Sequence, residues 1–344
     1  MVGAAPLFAM ALVVGAGPAG GVGVAAAATG AVHPSDSRRF ALTAPSHALF
    51  QDRRLKDGTV MQSFGFDIAN GRLFTAQLKS GPWSDENGDL TISRLDLAGN
   101  LLGHMHLEGF GHGTAIGVES SGDASYLWVE VDPTGFSARG TQLARFKFVD
   151  GVTLTNESPE LTKYQPVPDV SGVTATIDPV NGRLAMRYKE DGWRIAVYDL
   201  ADLKAHHYDD PVFDIAQPSL GGETFQGYAL YGKYLYTYSG NPYGPGNPPP
   251  GNARLSTIDL ETGRRVEGPT LTTAGSALTF REPEGMAIHR TVEGEVRLFF
   301  GMASGEPGKR RANLFYNNAL IGEQDGMRRS GRARPRMPKR PGGR

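Results

Sequence analysis

A four-run pattern that recurs five times is the feature that most constrains this chain. The copies start near Gln62, His112, Ser171, Gln226 and Glu282, a period of about 50–60 residues. In each copy a small or polar residue leads into a short apolar run. A turn follows: ANG at 69–71, SGD at 121–123, VNG at 180–182, VEG at 292–294. The second run is more aromatic (RLFTAQ, YLWVEVD, RLAMRY, YLYTYSG, VRLFFGM), and the third alternates and often ends in an acid (ISRLD, RFKFVD, IAVYD, LSTID). Some copies show a polar fourth run, such as RRVEGPTL at 264–271. Short runs of this composition between turn signals read as strands. A four-stranded unit at this period is the signature of a propeller blade.

The expected fold is therefore all-β: a five-bladed β-propeller of four-stranded antiparallel blades around a polar central channel. The alternative is six-bladed, with residues 40–60 contributing to a further blade. Five is preferred because FALTAPSHALFQDRRLKDG, at 40–58, then supplies an outer strand to the C-terminal blade. Closing the ring in this way leaves no exposed sheet edge at the seam. The 46 glycines and 23 prolines in 344 residues meet the demand for tight turns.

The propeller is expected over residues 40–318, with different material on either side. Residues 1–30 carry no charge and are rich in Ala, Gly and Val. They read as the apolar part of a secretory signal with an Ala-rich cleavage region near Ala26 to Ala28. The glycines and proline around 15–21 argue against a membrane anchor, and no stable span is expected after cleavage. Residues 319–344 form a basic tail whose Arg, Pro and Gly composition cannot build a core. Seven Arg and one Lys fall within 326–344, which leaves the rest of the chain with 27 basic against 36 acidic residues, a formal charge of −9. A basic tail on an exported acidic body does not point to nucleic acid. With no cysteine, disulfides, thiol nucleophiles and thiolate metal sites are excluded.

In a propeller the first strand of every blade lines the channel, so the residues leading into those strands meet at one rim. The leads are Gln62, His112, Ser171 or Gly172, Gln226, and Glu282 or Glu284. They should form one polar funnel. Gln62 and Gln226 offer donors and acceptors to hydroxyls or phosphates but cannot act as acid or base. Glu284 is the foremost candidate for a ligand-binding or catalytic carboxylate. Glu282 stands two residues away across Pro283, on the same side of an extended segment, so one of the two acids could be held protonated. Alternatively Glu282 faces solvent or pairs with Arg281. His112, between two glycines, is a candidate proton shuttle or hydroxyl ligand, with a plain turn histidine as the alternative.

Trp83, Tyr238 and Tyr243 follow second strands and are placed in loops that could overhang the mouth and stack on sugar rings. The segment GNPYGPGNPPPGN (240–252) reads as a lid or a long inter-strand turn. Glu119 and Asp178 are further acids on inner strands that could partner Glu284 in a glycosidase-like pair. His104 with His106, and His206 with His207, lack a third ligand at metal spacing, so no metal is expected. There is no Gly-Lys-Ser/Thr after GFGHG and no GxSxG, which removes the P-loop and the nucleophile elbow. No cofactor is implied.

The segments HALFQDRRLKDGTVMQSFGFD, GHG at 111–113, FQG at 225–227 and EPEGMAI at 282–288 resemble the TagC-like β-propeller family. Its actinobacterial members are called teichoic acid biosynthesis protein C, and a related propeller occurs in phage receptor-binding proteins. The resemblance covers roughly residues 40–318. It implies a secreted or envelope-associated propeller, expected as a monomer, that meets cell-wall glycopolymers. Three functions follow as expectations: binding of a teichoic-acid-like polymer or other carbohydrate in the funnel, glycan cleavage by a hydrolase or lyase using Glu284 and a second acid, or a protein-interaction scaffold.

Overall fold

The computed structural model describes residues 37–134 and 138–322. The signal-like segment and nearly all of the basic tail lie outside the described residues.

Five antiparallel sheets make the five blades. The inner strands, in blade order, are Met61–Asp67, Gly117–Ser121, Ser171–Asp178, Phe225–Tyr231 and Glu282–Arg290. Each packs against the inner strands of both neighbouring blades, and that of blade five returns to that of blade one. Every blade has four strands running outward from the channel, and Thr153–Thr155 adds in parallel to the outer edge of blade one. The five-bladed, all-β expectation holds.

The sheets are apolar on both faces because each face meets the next blade. Five separate core clusters fill the five junctions. Phe74, Ile92, Leu127 and Phe146 sit between blades one and two. Phe64, Phe66, Ala287 and Phe299 join blade five to blade one. Burying apolar surface at about 25 cal/mol per Å² is the main stabilising term at such junctions.

The ring is closed as expected. His47–Arg53 runs antiparallel along Arg311–Asn317 and forms the outer strand of blade five. A second seam lies beside it, where Arg39–Phe40 pairs with Leu320–Ile321. Phe40 is fully buried, its ring set edge-on to Tyr236 and its N–H donating to the Tyr236 hydroxyl at 2.9 Å. The ring thus takes in residues to Ile321, three beyond 318.

Four of the five inner strands are irregular near the end where they begin. Partners shift between Met61 and Ser63, between Ser171 and Thr174, between Phe225 and Gly227, and between Glu284 and Met286. Such bulges bend a strand and re-aim its side chains. They also bring backbones close together. Gly285 has φ 70°, and a Cβ there would lie 2.7 Å from the Ser63 Cα. A Cβ on Gly227 would lie 2.8 Å from the Gly285 Cα. Blades four, five and one therefore meet backbone to backbone at this level. Gly285→Ala is expected to cost about 2 kcal/mol, from left-handed backbone strain plus the clash. A urea midpoint unchanged from the parent would show that the blades can part there.

Candidate functional site: the axial funnel

The bulges determine what faces the axis. Gln62 is the unpaired residue between the Met61–Gln77 and Ser63–Ala76 pairs. Gln226 is the unpaired residue between Phe225–Ser239 and Gly227–Tyr238. In blade five the extra residue is Gly285, so Glu284 stays paired across to Gly301 at the last regular position. Gln62, His112, Gln226, Glu282 and Glu284 all line one cavity of about 600 Å³. The lead of blade three is different. Ser171 and Gly172 line a second cavity of about 780 Å³. The two cavities share Thr114, Arg139, Thr224 and Phe225 as a common wall.

Blade two reaches the funnel by another route. Its inner strand begins only at Gly117, so His112 stands on irregular backbone that needs external support. Glu130, fully buried on the second strand, supplies it. One carboxylate oxygen accepts the Gly113 N–H at 2.8 Å, and the other accepts the Gly140 N–H at 2.7 Å. A Cβ on Gly111 would lie 2.4 Å from this carboxylate, which is why the loop carries glycine there. The Ser63 hydroxyl donates to the Gly113 carbonyl at 2.6 Å and ties the loop to blade one. His112 Nδ1 lies 3.0 Å from the Asp85 carboxylate. Burial, and then the charge of Arg139, hold His112 below the ordinary imidazole range against the pull of Asp85. The neutral ring then donates Nδ1–H to Asp85 and keeps Nε2 as an acceptor.

Glu284 is 3% exposed, and its Oε2 has no protein hydrogen-bond partner. No cation pairs with it among the described residues. Burial pushes its carboxyl well above the ordinary range, and the charge and hydrogen bond of Glu282 push it further. Burial also raises Glu282, opposed by its hydrogen bond to Glu284 and by Arg310. Glu284 is therefore the member that holds the proton. Arg281 does not pair with Glu282. It is buried, and it donates to the carbonyls of Thr272 and Ala274, each at 2.8 Å.

Three arginines that sequence reasoning missed line these cavities: Arg310 the funnel, Arg187 the second cavity, and Arg139 both. Arg139 donates to the Thr114 hydroxyl at 2.7 Å. Arg310 lies 3.3 Å from the centroid of the Phe280 ring. Arg187, on the second strand of blade three, is held between the rings of Trp193 and Phe225. Burial lowers it to about 9, so it keeps its charge at neutral pH. Arg139 and Arg187 have no carboxylate partner among the described residues. A charge inside LAMRY, otherwise apolar at 184–188, was the available signal for Arg187. Arg139 and Arg310 sit in polar loops and carry none.

Residues 60–316 match the family described as the phage 5-bladed beta propeller receptor binding platform domain. The chain belongs to that family. The "Putative major teichoic acid biosynthesis protein C" of Bacillus subtilis (strain 168) is 30% identical over 289 residues, which are 80% of this chain and 63% of that protein. This chain thus spans a little under two-thirds of that relative's length. Among solved structures, the tail fiber of Staphylococcus aureus phage P68 aligns with a TM-score of 0.63 at 24% identity, over 86% of this chain and 56% of that one. That likeness is one of fold.

Within this five-bladed ring, several expected site residues lie elsewhere. Tyr238 is not in a loop. It is fully buried in the strand Tyr234–Ser239, its hydroxyl 3.3 Å from the Met302 sulfur and its ring against Phe300. Trp83 is 69% exposed in a left-handed turn and does not line the funnel. The same loop contributes Asp85 instead. Glu119 and Asp178 do not line the funnel: Asp178 ends its inner strand, and Glu119 lines a separate cavity with Ile177 and Leu200. Seven residues separate Ser171 from Asp178 along one strand, about 23 Å at 3.3 Å per residue. Glu119 is held by Arg145 and Lys204. Asp178 accepts N–H groups of Val180, Asn181 and Gly232 and caps a turn. Residues 240–252 form a turn rather than a lid: Asn247 donates to the Asn241 and Pro242 carbonyls, and Tyr243 N–H to the Phe280 carbonyl.

Proposed function

We propose that the axial funnel binds an anionic, hydroxyl-rich cell-envelope glycopolymer, a polyol or sugar phosphate polymer of the teichoic-acid class, and that the protein works outside the cell or within its envelope. The observation that carries this reading is the composition of the one cavity shared by four blades. Two amides and a protonated carboxyl offer paired donors and acceptors to hydroxyls, and Arg139, without a carboxylate partner among the described residues, stands beside them. Membership of a receptor-binding platform family and likeness to a protein named for teichoic acid biosynthesis support the same substrate class.

Cleavage is supported less well. A retaining glycosidase needs its carboxyls about 5–5.5 Å apart, and an inverting one farther. Glu282 and Glu284 are two residues apart on one side of a single strand, rather than on opposite sides of the funnel. Glu223, the acid lining the adjoining cavity, is engaged by Arg254 and Ser239.

Purified wall polymer incubated with the full chain tests the proposal. Retention without released fragments is expected. Glutamine mimics a protonated Glu284, so Glu284→Gln should retain polymer within about threefold of the parent. Glu284→Leu removes the donor and acceptor that the carboxyl offers to the polymer and should lose at least about tenfold. Fragments formed by the parent and not by Glu284→Gln would replace binding with turnover, and retention by neither would end the proposal.

A further inference from the structure

We propose that the second cavity, on blade three, is a phosphodiester subsite in which Arg187 grips the anion and Trp193 forms the floor. This rests on the polymer-binding reading above and adds where the charge of the polymer is recognised.

The argument begins with how Arg187 is held. It lies mid-strand in Arg183–Lys189 and is 5% exposed. A buried arginine normally has a carboxylate beside it, since an unpaired buried charge is expensive. Arg187 has none among the described residues. Its Cζ is 3.4 Å from the centroid of the Trp193 ring and 3.8 Å from that of Phe225. Its Nε donates to the Gln217 side-chain oxygen at 2.7 Å. The guanidinium is thus clamped on both faces and along one edge. Both Nη groups remain without a hydrogen bond to the described residues, and the side chain lines the cavity. A planar fork fixed in this way, with its donor edge left over, suits two oxygens of a phosphate.

The surroundings agree. Arg139 and Lys189 line the same cavity, and its sole acid among the described residues, Glu223, is taken up by Arg254 and Ser239. Trp193 is 36% exposed and lies across Gly172, whose φ is 63°. A Cβ at Gly172 would come within 2.8 Å of the indole. This glycine lets the ring lie flat against the inner strand and keep Arg187 sandwiched. Arg139 and Phe225 belong to both cavities. A linear polymer can therefore present hydroxyls to Gln62, Gln226 and Glu284 and pass its next phosphate over that wall to Arg187.

The test uses the full chain and two soluble probes of similar length, a defined glycerol phosphate oligomer and neutral dextran, with affinities taken by calorimetry across a salt series. The parent should bind the phosphate oligomer at least tenfold more tightly than dextran. Arg187→Gln should bring the phosphate oligomer to within about threefold of dextran and flatten the dependence of log affinity on log salt by roughly one unit for each phosphate that is no longer neutralised. Trp193→Ala removes a partly exposed face of the clamp without touching the buried strand. It should weaken the oligomer about fivefold, and it carries the test if Arg187→Gln does not fold. Phosphate-selective binding that both folded variants keep would overturn the subsite and leave the funnel reading standing. Equal binding of the two probes by the parent would overturn the subsite as well, and binding of neither would remove the reading on which it rests.

Discussion

Replacing Glu130 with alanine is expected to lower folding stability by about 4 kcal/mol, the largest single loss among the funnel residues. Two buried donors, the N–H groups of Gly113 and Gly140, would lose their acceptor. Each costs about 1–3 kcal/mol when left unpaired. A cavity is added where the carboxylate filled the space beside Gly111 and Gly140. One gain offsets part of this, because burial holds the Glu130 carboxyl above its ordinary range and alanine removes that strain. Urea unfolding of parent and variant gives the difference. A matched Glu130→Gln variant separates the causes: an amide keeps one acceptor and the volume, and should lose about half as much. If alanine costs under 1 kcal/mol, the His112 loop is held by something other than this carboxylate.

The second large effect is a pH dependence traceable to Glu284. Its folded-state value lies well above the 4.5 of a free glutamate, and burial is the first cause. The native state therefore binds a proton that the unfolded chain releases. Stability is full below about pH 4.5 and falls as pH rises from there through the folded-state value, by up to about 1.4 kcal/mol per pH unit. Glutamine cannot titrate. Glu284→Gln should match the parent within about 1 kcal/mol at pH 5 and exceed it by a margin that grows toward pH 8, by up to about 1.4 kcal/mol per pH unit. Glu130 and Asp178 are raised too, but they are present in both proteins and cancel in the difference. A gap that stays constant between pH 5 and pH 8 would mean that Glu284 is already ionised and neutralised in the native state. Polymer retention should weaken only as pH passes through the folded-state value, where the native funnel gains a negative charge facing the phosphates.

Glu284 explains why two acids stand at the start of a buried strand. A carboxyl with no cation beside it and an unpartnered oxygen is a poor choice for stability. Such local conflicts concentrate at functional sites. In EPEGMAIHR, Pro283 keeps the segment extended, Glu282 and Glu284 fall on one side, and Gly285 permits the close approach of blade one.

The arginines were harder to find for a physical reason. A binding arginine in a loop, such as Arg139 or Arg310, differs in no local way from a solvated one. Arg187 did break the apolar run of its strand. Nothing near it in sequence, however, revealed that Phe225, 38 residues later, would close the second face of its clamp. Tyr238 fails in the opposite direction. Blade strands are apolar on both faces, so the alternation that separates core from solvent in a one-sided sheet is missing. YLYTYSG alone cannot say which tyrosines lie at a blade junction.

The sequence by itself determined the number of blades, their closure by an outer strand from residues 40–58 and the polar character of the channel mouth. These follow from strand length, turn chemistry and a repeat period, all of which act over short stretches of chain and recur five times. Only the tertiary structure decided which leads share a cavity, that Glu119 and Asp178 lie away from it, and that Arg139, Arg187 and Arg310 line the funnel and the cavity beside it. Those outcomes depend on where one-residue bulges shift the register, and on side chains from blades far apart in sequence packing against one another around the axis.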